Sequence, residues 1–155
     1  MKKFFATLTL VACAATAHAS DRDVVETFYT GLLSGTTQAN LPARVAEVLA
    51  PDWQSVGGYT AAAKTRDQFV AELGGLGDAA PTLHWKIEEI VQAGNRFIVR
   101  GRATAVPVQP FLGAAPTGRG FDIMSIDIHT VEHHKIVKSY HVEDWHGALA
   151  QIAGK

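Results

Sequence analysis

Six ionisable side chains, Asp122, Asp127, His129, His141, Glu143 and Asp144, punctuate the apolar C-terminal third of the chain at strand spacing. Titratable groups gathered on one surface of an apolar sheet point to a pocket, where burial tunes them for proton transfer. Asp127 and His129 stand two apart, so on a strand they share a face, and Asp122 falls on the opposite one. Such a pair can act as general base and orienter, with the carboxylate pushed up by burial. The competing arrangement is an exposed face, ion-paired across strands to Lys135 or Lys138, with Ile126 and Ile128 on the more apolar side.

His141 has two readings: a catalytic base, or a hydrogen-bonded histidine lining the pocket. Asp144 stands where the last strand gives way to a helix, and N-capping that helix would by itself explain it. Tyr140 and Trp145 are expected as cavity walls. Arg119 follows Pro116-Thr117-Gly118; an arginine beside a turn can grip a carboxylate or carbonyl oxygen, or simply lie on the surface. Histidines 129, 133, 134, 141 and 146 lack HExxH or His-x-His spacing, so no metal is expected. Nor is there a GxSxG elbow, a phosphate-cradling glycine loop or a dinucleotide fingerprint.

These residues need elements to hold them. Residues 21–33 carry a helical stripe, Val24, Val25, Phe28, Tyr29, Leu32 and Leu33, capped by Ser20 or Asp21 and stopped by Gly35. A short helix is expected over 41–49, ended by Pro51, then an extended piece over 53–56. A third helix opens at Thr65 or Asp67 and runs through Leu73, halted by the glycines at 74, 75 and 77. Strand patterns follow over 82–92 and 96–108, turning at Gly94-Asn95. A Pro/Gly loop over 109–118 precedes a hairpin of 121–131 and 135–142 about His133-His134, and a helix over 143–153. Three helices and then four long antiparallel strands predict an α+β fold, with helices on one face of a curved sheet enclosing a cavity.

The first nineteen residues read as a secretory signal peptide: Lys2 and Lys3, an apolar run over 4–15, and Ala17-His18-Ala19 before Ser20. Leu10-Val11-Ala12-Cys13 offers a second reading, a lipobox that would anchor the protein through Cys13. Either implies export, to the periplasm or beyond. Residues 20–155 then form one domain with no cysteine, and loss of the two lysines takes the formal charge from −1 to −3. No basic patch stands out, so nucleic acid is not the expected partner.

Phe111-Leu112-Gly113, Pro116-Thr117-Gly118-Arg119, the strand from Ser125 to Val131, Lys135-Ile136-Val137 and the helix from Asp144-Trp145 to Gln151 form a recognisable series. In them the chain resembles the SnoaL-like polyketide cyclases, or ester cyclases, of the nuclear transport factor 2-like superfamily. The resemblance is specific from about Phe97 onward; the helix with Phe28 and Tyr29, and Trp53 after Pro51-Asp52, fit more loosely. It implies a cone-shaped α+β barrel with helices closing its mouth, often a homodimer packed through the sheet. It also implies cofactor-free intramolecular aldol chemistry, in which an acidic residue near the end of the last strand takes a proton next to a carbonyl. His141 stands about where that acid is expected, with Asp144 just beyond, and Ala103-Thr104-Ala105 replaces a segment in which many relatives carry a histidine.

The resulting expectation is an exported protein binding a small, largely apolar carbonyl compound. His141 or Asp127 would be the base, with Asp144 nearby, and Arg119 with Tyr140 would steady the enolate. His129, Trp53, Tyr29, Phe28 and Trp145 complete the expected ligand contacts. The competing expectation is a periplasmic binding protein with the same cavity and no catalysis; a module binding a partner through the outer sheet face is a third.

Overall fold

Ser20 starts the first helix in the computed structural model, which describes residues 20–155; the expected signal peptide lies outside them. Its hydroxyl accepts from the Asp23 amide while the Asp23 carboxylate accepts from the Ser20 amide, a reciprocal cap. This helix, α1 (Asp21–Thr27), passes into wider turns over Phe28–Leu33, where the Ser34 amide donates five residues back to Tyr29 at 3.0 Å. The whole apolar stripe is buried, and Phe28 and Tyr29 face the sheet interior.

Helix α2 (Leu41–Val48) leads into β1 (Leu49–Val56), longer than the extended piece expected there. β2 (Lys64–Thr65) precedes α3 (Arg66–Ala79), which opens on a second reciprocal cap between Thr65 and Gln68. The glycines do not halt α3 at Leu73. Each costs about 1 kcal/mol of helix propensity, but Gly77 lets the helix settle on Thr36: a Cβ there would stand 3.0 Å from Thr36 Oγ1. Close packing overrides the local preference.

The strands β3 (His84–Ala93), β4 (Arg96–Ala105), β5 (Phe121–Glu132) and β6 (Lys135–Glu143) form an antiparallel series, closed by α4 (Trp145–Ala153). The four long strands are antiparallel as expected; β1, the extended piece, joins them by pairing parallel to β6, and the sheet order is β2-β1-β6-β5-β4-β3. The sheet is curved and unclosed, with the four helices making a mixed α+β cone. β5 alternates strictly: Phe121, Ile123, Ser125, Asp127, His129 and Val131 are buried. The more apolar-looking Ile126 side is the outer face, and Ile126 is 38 % exposed. Lys135 and Lys138 do not pair with Asp127 or His129; Lys135 donates to the carbonyls of Ala46 and Glu47, and Lys138 lies over the Tyr140 ring.

One irregularity decides which side chains of β6 face inward. His133 and His134 turn with φ of 49° and 57°, the left-handed pair of a tight hairpin. Val131 then opposes Ile136, but Thr130 opposes Lys138, so Val137 is an extra residue. Beyond this bulge Ser139, His141 and Glu143 join the Asp127 face, opposite His129, Asp127 and Ser125. Tyr140 turns outward.

Candidate active site

The cone encloses a cavity of about 70 Å³ between α3 and the sheet, roofed by Phe28, Phe69, Leu73, Trp85 and Trp145. Its polar lining is Asp127, His141, Glu143, Ser139 and Ser55, and the Lys64–Glu72 ion pair stands at its edge. Asp127 is 4 % exposed and accepts from Ser125 Oγ at 3.3 Å. Gly101 on the next strand makes room for that hydroxyl, since a Cβ there would lie 2.6 Å from Ser125 Oγ. Burial and the adjacent Glu143 charge push Asp127 up from 3.8 to about 7, against the lowering influence of Tyr29, His141 and Ser125. A carboxyl poised near neutrality takes up and releases protons readily.

His141 Nδ1 meets the Glu143 carboxylate at 2.8 Å, and this contact holds the imidazole above its ordinary value despite partial burial. The pairing favours an imidazolium beside Asp127. Gly57 fits against the ring, where a Cβ would be 3.0 Å from Cε1 and Nε2.

Behind the lining runs a buried chain of polar groups. Trp53 Nε1–H donates to Ser139 Oγ at 3.1 Å, Ser139 Oγ lies 2.8 Å from His129 Nδ1, and His129 Nε2 lies 2.8 Å from the Tyr29 hydroxyl. Burial and the nearby His141 charge push His129 down to about 3, so it stays neutral. Burial and Asp127 together hold Tyr29 well above the usual phenol value, so it stays protonated. With Asp127 ionised, the Tyr29 hydroxyl turns toward that carboxylate. His129 Nε2–H then donates to Tyr29, and Ser139 donates to His129 Nδ1. Each member orients the next, and the chain ends at Asp127.

Of the ten residues expected at the site, the cavity brings together Asp127, His141, Phe28 and Trp145. Tyr29, His129 and Trp53 lie one layer back as its support. Three fall elsewhere. Arg119 is exposed and places its guanidinium against Gly154, beyond α4, where the Pro/Gly loop crosses the helix end. Tyr140 sits on the outer face, turned by the Val137 bulge. Asp144 caps α4, accepting from the Gly147 amide at 2.8 Å. Ser139 and Ser125 were not foreseen as site residues, and Glu143, one of the six ionisable groups that point to a pocket, was given no role of its own. Alternation with Asp127 would have found Ser125, whereas the part played by Glu143 was hidden by assigning it to the helix. Among the described residues no three of His, Cys, Asp and Glu group so as to hold a metal ion.

The SnoaL-like polyketide cyclase family model matches residues 23–152, and the chain belongs to that family. Membership supports a function of the cyclase or isomerase type. Among solved structures, a protein of Jannaschia sp. CCS1 described as a SnoaL-like polyketide cyclase superposes with a TM-score of 0.75 at 18 % identity, covering 91 % of this chain and 99 % of its own. IdmH of Streptomyces antibioticus, described as a polyketide cyclase, gives 0.75 at 23 % identity over 87 % of this chain and 99 % of its own. A hypothetical protein of Catenulispora acidiphila DSM 44928 with a ketosteroid isomerase-like fold, solved with trimethylamine, gives 0.64 at 16 % identity over 84 % and 92 %. No curated protein matches the chain.

Proposed function

We propose that the protein abstracts a proton next to the carbonyl of a small, largely apolar compound, without a cofactor, leading to isomerisation or ring closure. The observation that carries this reading is Asp127: a carboxyl 4 % exposed, held near neutral, on the wall of a mostly apolar cavity. Asp127 is the base. The His141 imidazolium, fixed by Glu143, supplies positive charge beside the developing enolate. A cavity of about 70 Å³ is far below the roughly 300–1,000 Å³ of drug-sized sites. A compact substrate therefore fits as the site stands, while a polycyclic one requires α3 to move off the sheet.

The test is deuterium incorporation. Small ketones incubated with the protein in deuterated buffer should exchange α-protons, and Asp127→Asn should reduce exchange to background. Exchange that survives this substitution sinks the assignment. A ligand retained in stoichiometric amount and chemically unchanged would instead support the non-catalytic binder, to which the small, enclosed cavity is also suited.

Two wider proposals accompany this one. The leader-like residues 1–19 support export, which a mature mass beginning at Ser20 would verify and a lipid-modified Cys13 would redirect. Met124, Ile126, Tyr140 and Val142, exposed together on the outer sheet face, support a homodimer through the sheet, checked by light scattering.

A further inference from the structure

Trp85 is 4 % exposed and lines the cavity, yet its indole Nε1–H is the one buried side-chain polar atom without a hydrogen-bond partner among the described residues. Buried indoles ordinarily find an acceptor, as Trp53 does at Ser139. The side chain has little freedom to find one for itself. Its backbone is clamped by the Ser34 hydroxyl, which accepts from the Trp85 amide at 2.8 Å and donates to its carbonyl at 3.3 Å. Its ring stands edge-on to Trp145 at 6.3 Å and tilted against Tyr29 at 6.5 Å. The ring covers Gly101, beside the hydroxyl that donates to Asp127: a Cβ on Gly101 would be 3.8 Å from Trp85 Cε3 and 2.6 Å from Ser125 Oγ, and Trp85 and Asp127 line the same cavity.

From this, and resting on the reading of Asp127 as base, we infer that Trp85 Nε1–H is the donor that receives the substrate's carbonyl oxygen. The site thereby selects neutral compounds with a single acceptor oxygen over amines, because an N–H dipole repels a cationic or donor headgroup. With the oxygen on Trp85, the α-carbon turns toward Asp127. The C–H proton passes to the carboxylate, the C–H electron pair becomes the carbon–carbon double bond, and the carbonyl π pair moves onto the oxygen. Trp85 stabilises that charge as it forms, and return of a solvent-derived deuteron from Asp127 regenerates the ketone.

The experiment uses the full chain labelled with ¹⁵N, cyclopentanone as probe and cyclopentane as its oxygen-free counterpart. Of the three tryptophan indole peaks, that of Trp85, assigned through its proximity to Trp145, should move with cyclopentanone and stay put with cyclopentane. Trp85→Phe, checked for folding by circular dichroism, should slow deuterium exchange into cyclopentanone about 100-fold, the scale of losing one oxyanion donor. An indole peak that ignores cyclopentanone overturns the inference without need of a variant. Exchange lost in Asp127→Asn but kept in Trp85→Phe also overturns it, and leaves Asp127 as the base. A shifted Trp85 peak in a protein that exchanges nothing upholds the oxygen subsite and removes the catalytic reading.

Discussion

Asp127 should make the protein less stable as pH rises, and replacing it should remove that loss. Its folded value is about 7 against an ordinary 3.8, so between those limits the folded state binds more protons than the unfolded. Stability then falls with rising pH, by about 1.4 kcal/mol per unit across the window and about 4 kcal/mol in all. His129 acts in the opposite sense. Its folded value of about 3 lies below the ordinary 6.5, so its contribution is complete above 6.5 and is lost as pH falls toward 3. The two slopes oppose one another from about pH 4 to 6.5, and the wild-type protein conceals both. Asp127→Asn should expose them. Urea unfolding at pH 4 should find variant and wild type nearly equal, whereas at pH 8 the variant should be more stable by up to about 4 kcal/mol. That is a large share of the roughly 5–15 kcal/mol typical of a domain, as expected where function opposes stability. A stability difference that stays constant from pH 4 to 8 would refute the reasoning, because Asp127 would then have no raised folded value.

Tyr29→Phe leaves His129 Nε2 without its buried partner and should cost about 1–3 kcal/mol in urea unfolding; it should also move the pH profile of exchange upward, since Tyr29 lowers Asp127. Gly57→Ala puts a methyl 3.0 Å from the His141 ring and should reduce exchange about tenfold or more while the unfolding midpoint changes little, which parallel assays would separate. Asp144→Ala removes the α4 cap and should cost about 1 kcal/mol, leaving kcat/KM unaltered. Arg119→Ala, remote from the cavity, should leave kcat/KM unaltered as well.

Local rules carried much of this molecule. The α1 stripe, the Ser20 cap, the hairpins and the shared face of Asp127 and His129 follow from side-chain periodicity alone. Apolarity alone would have turned the Ile126 side of β5 inward; the Asp127 side is made inward by the chain behind it, through Tyr29 and Trp53, which are distant in sequence. Tyr140 was misplaced for a different reason. A bulge of one residue at Val137 reverses the parity of everything after it, exchanging Tyr140 for His141 and Glu143, and no residue type there announces it. The parallel pairing of β1 with β6 and the run of α3 through its glycines are likewise set by contacts between remote segments. Arg119 was drawn in by its neighbours in sequence, though the loop carries it to the far end of α4.

The most direct check on the central claim is the titration of the Asp127 carboxyl carbon, followed by ¹³C NMR in the unliganded protein and in Glu143→Gln. The account predicts a midpoint of about 7, moving down once the Glu143 charge is gone. A midpoint near 3.8, or one indifferent to Glu143, would contradict it and leave the cavity without its base.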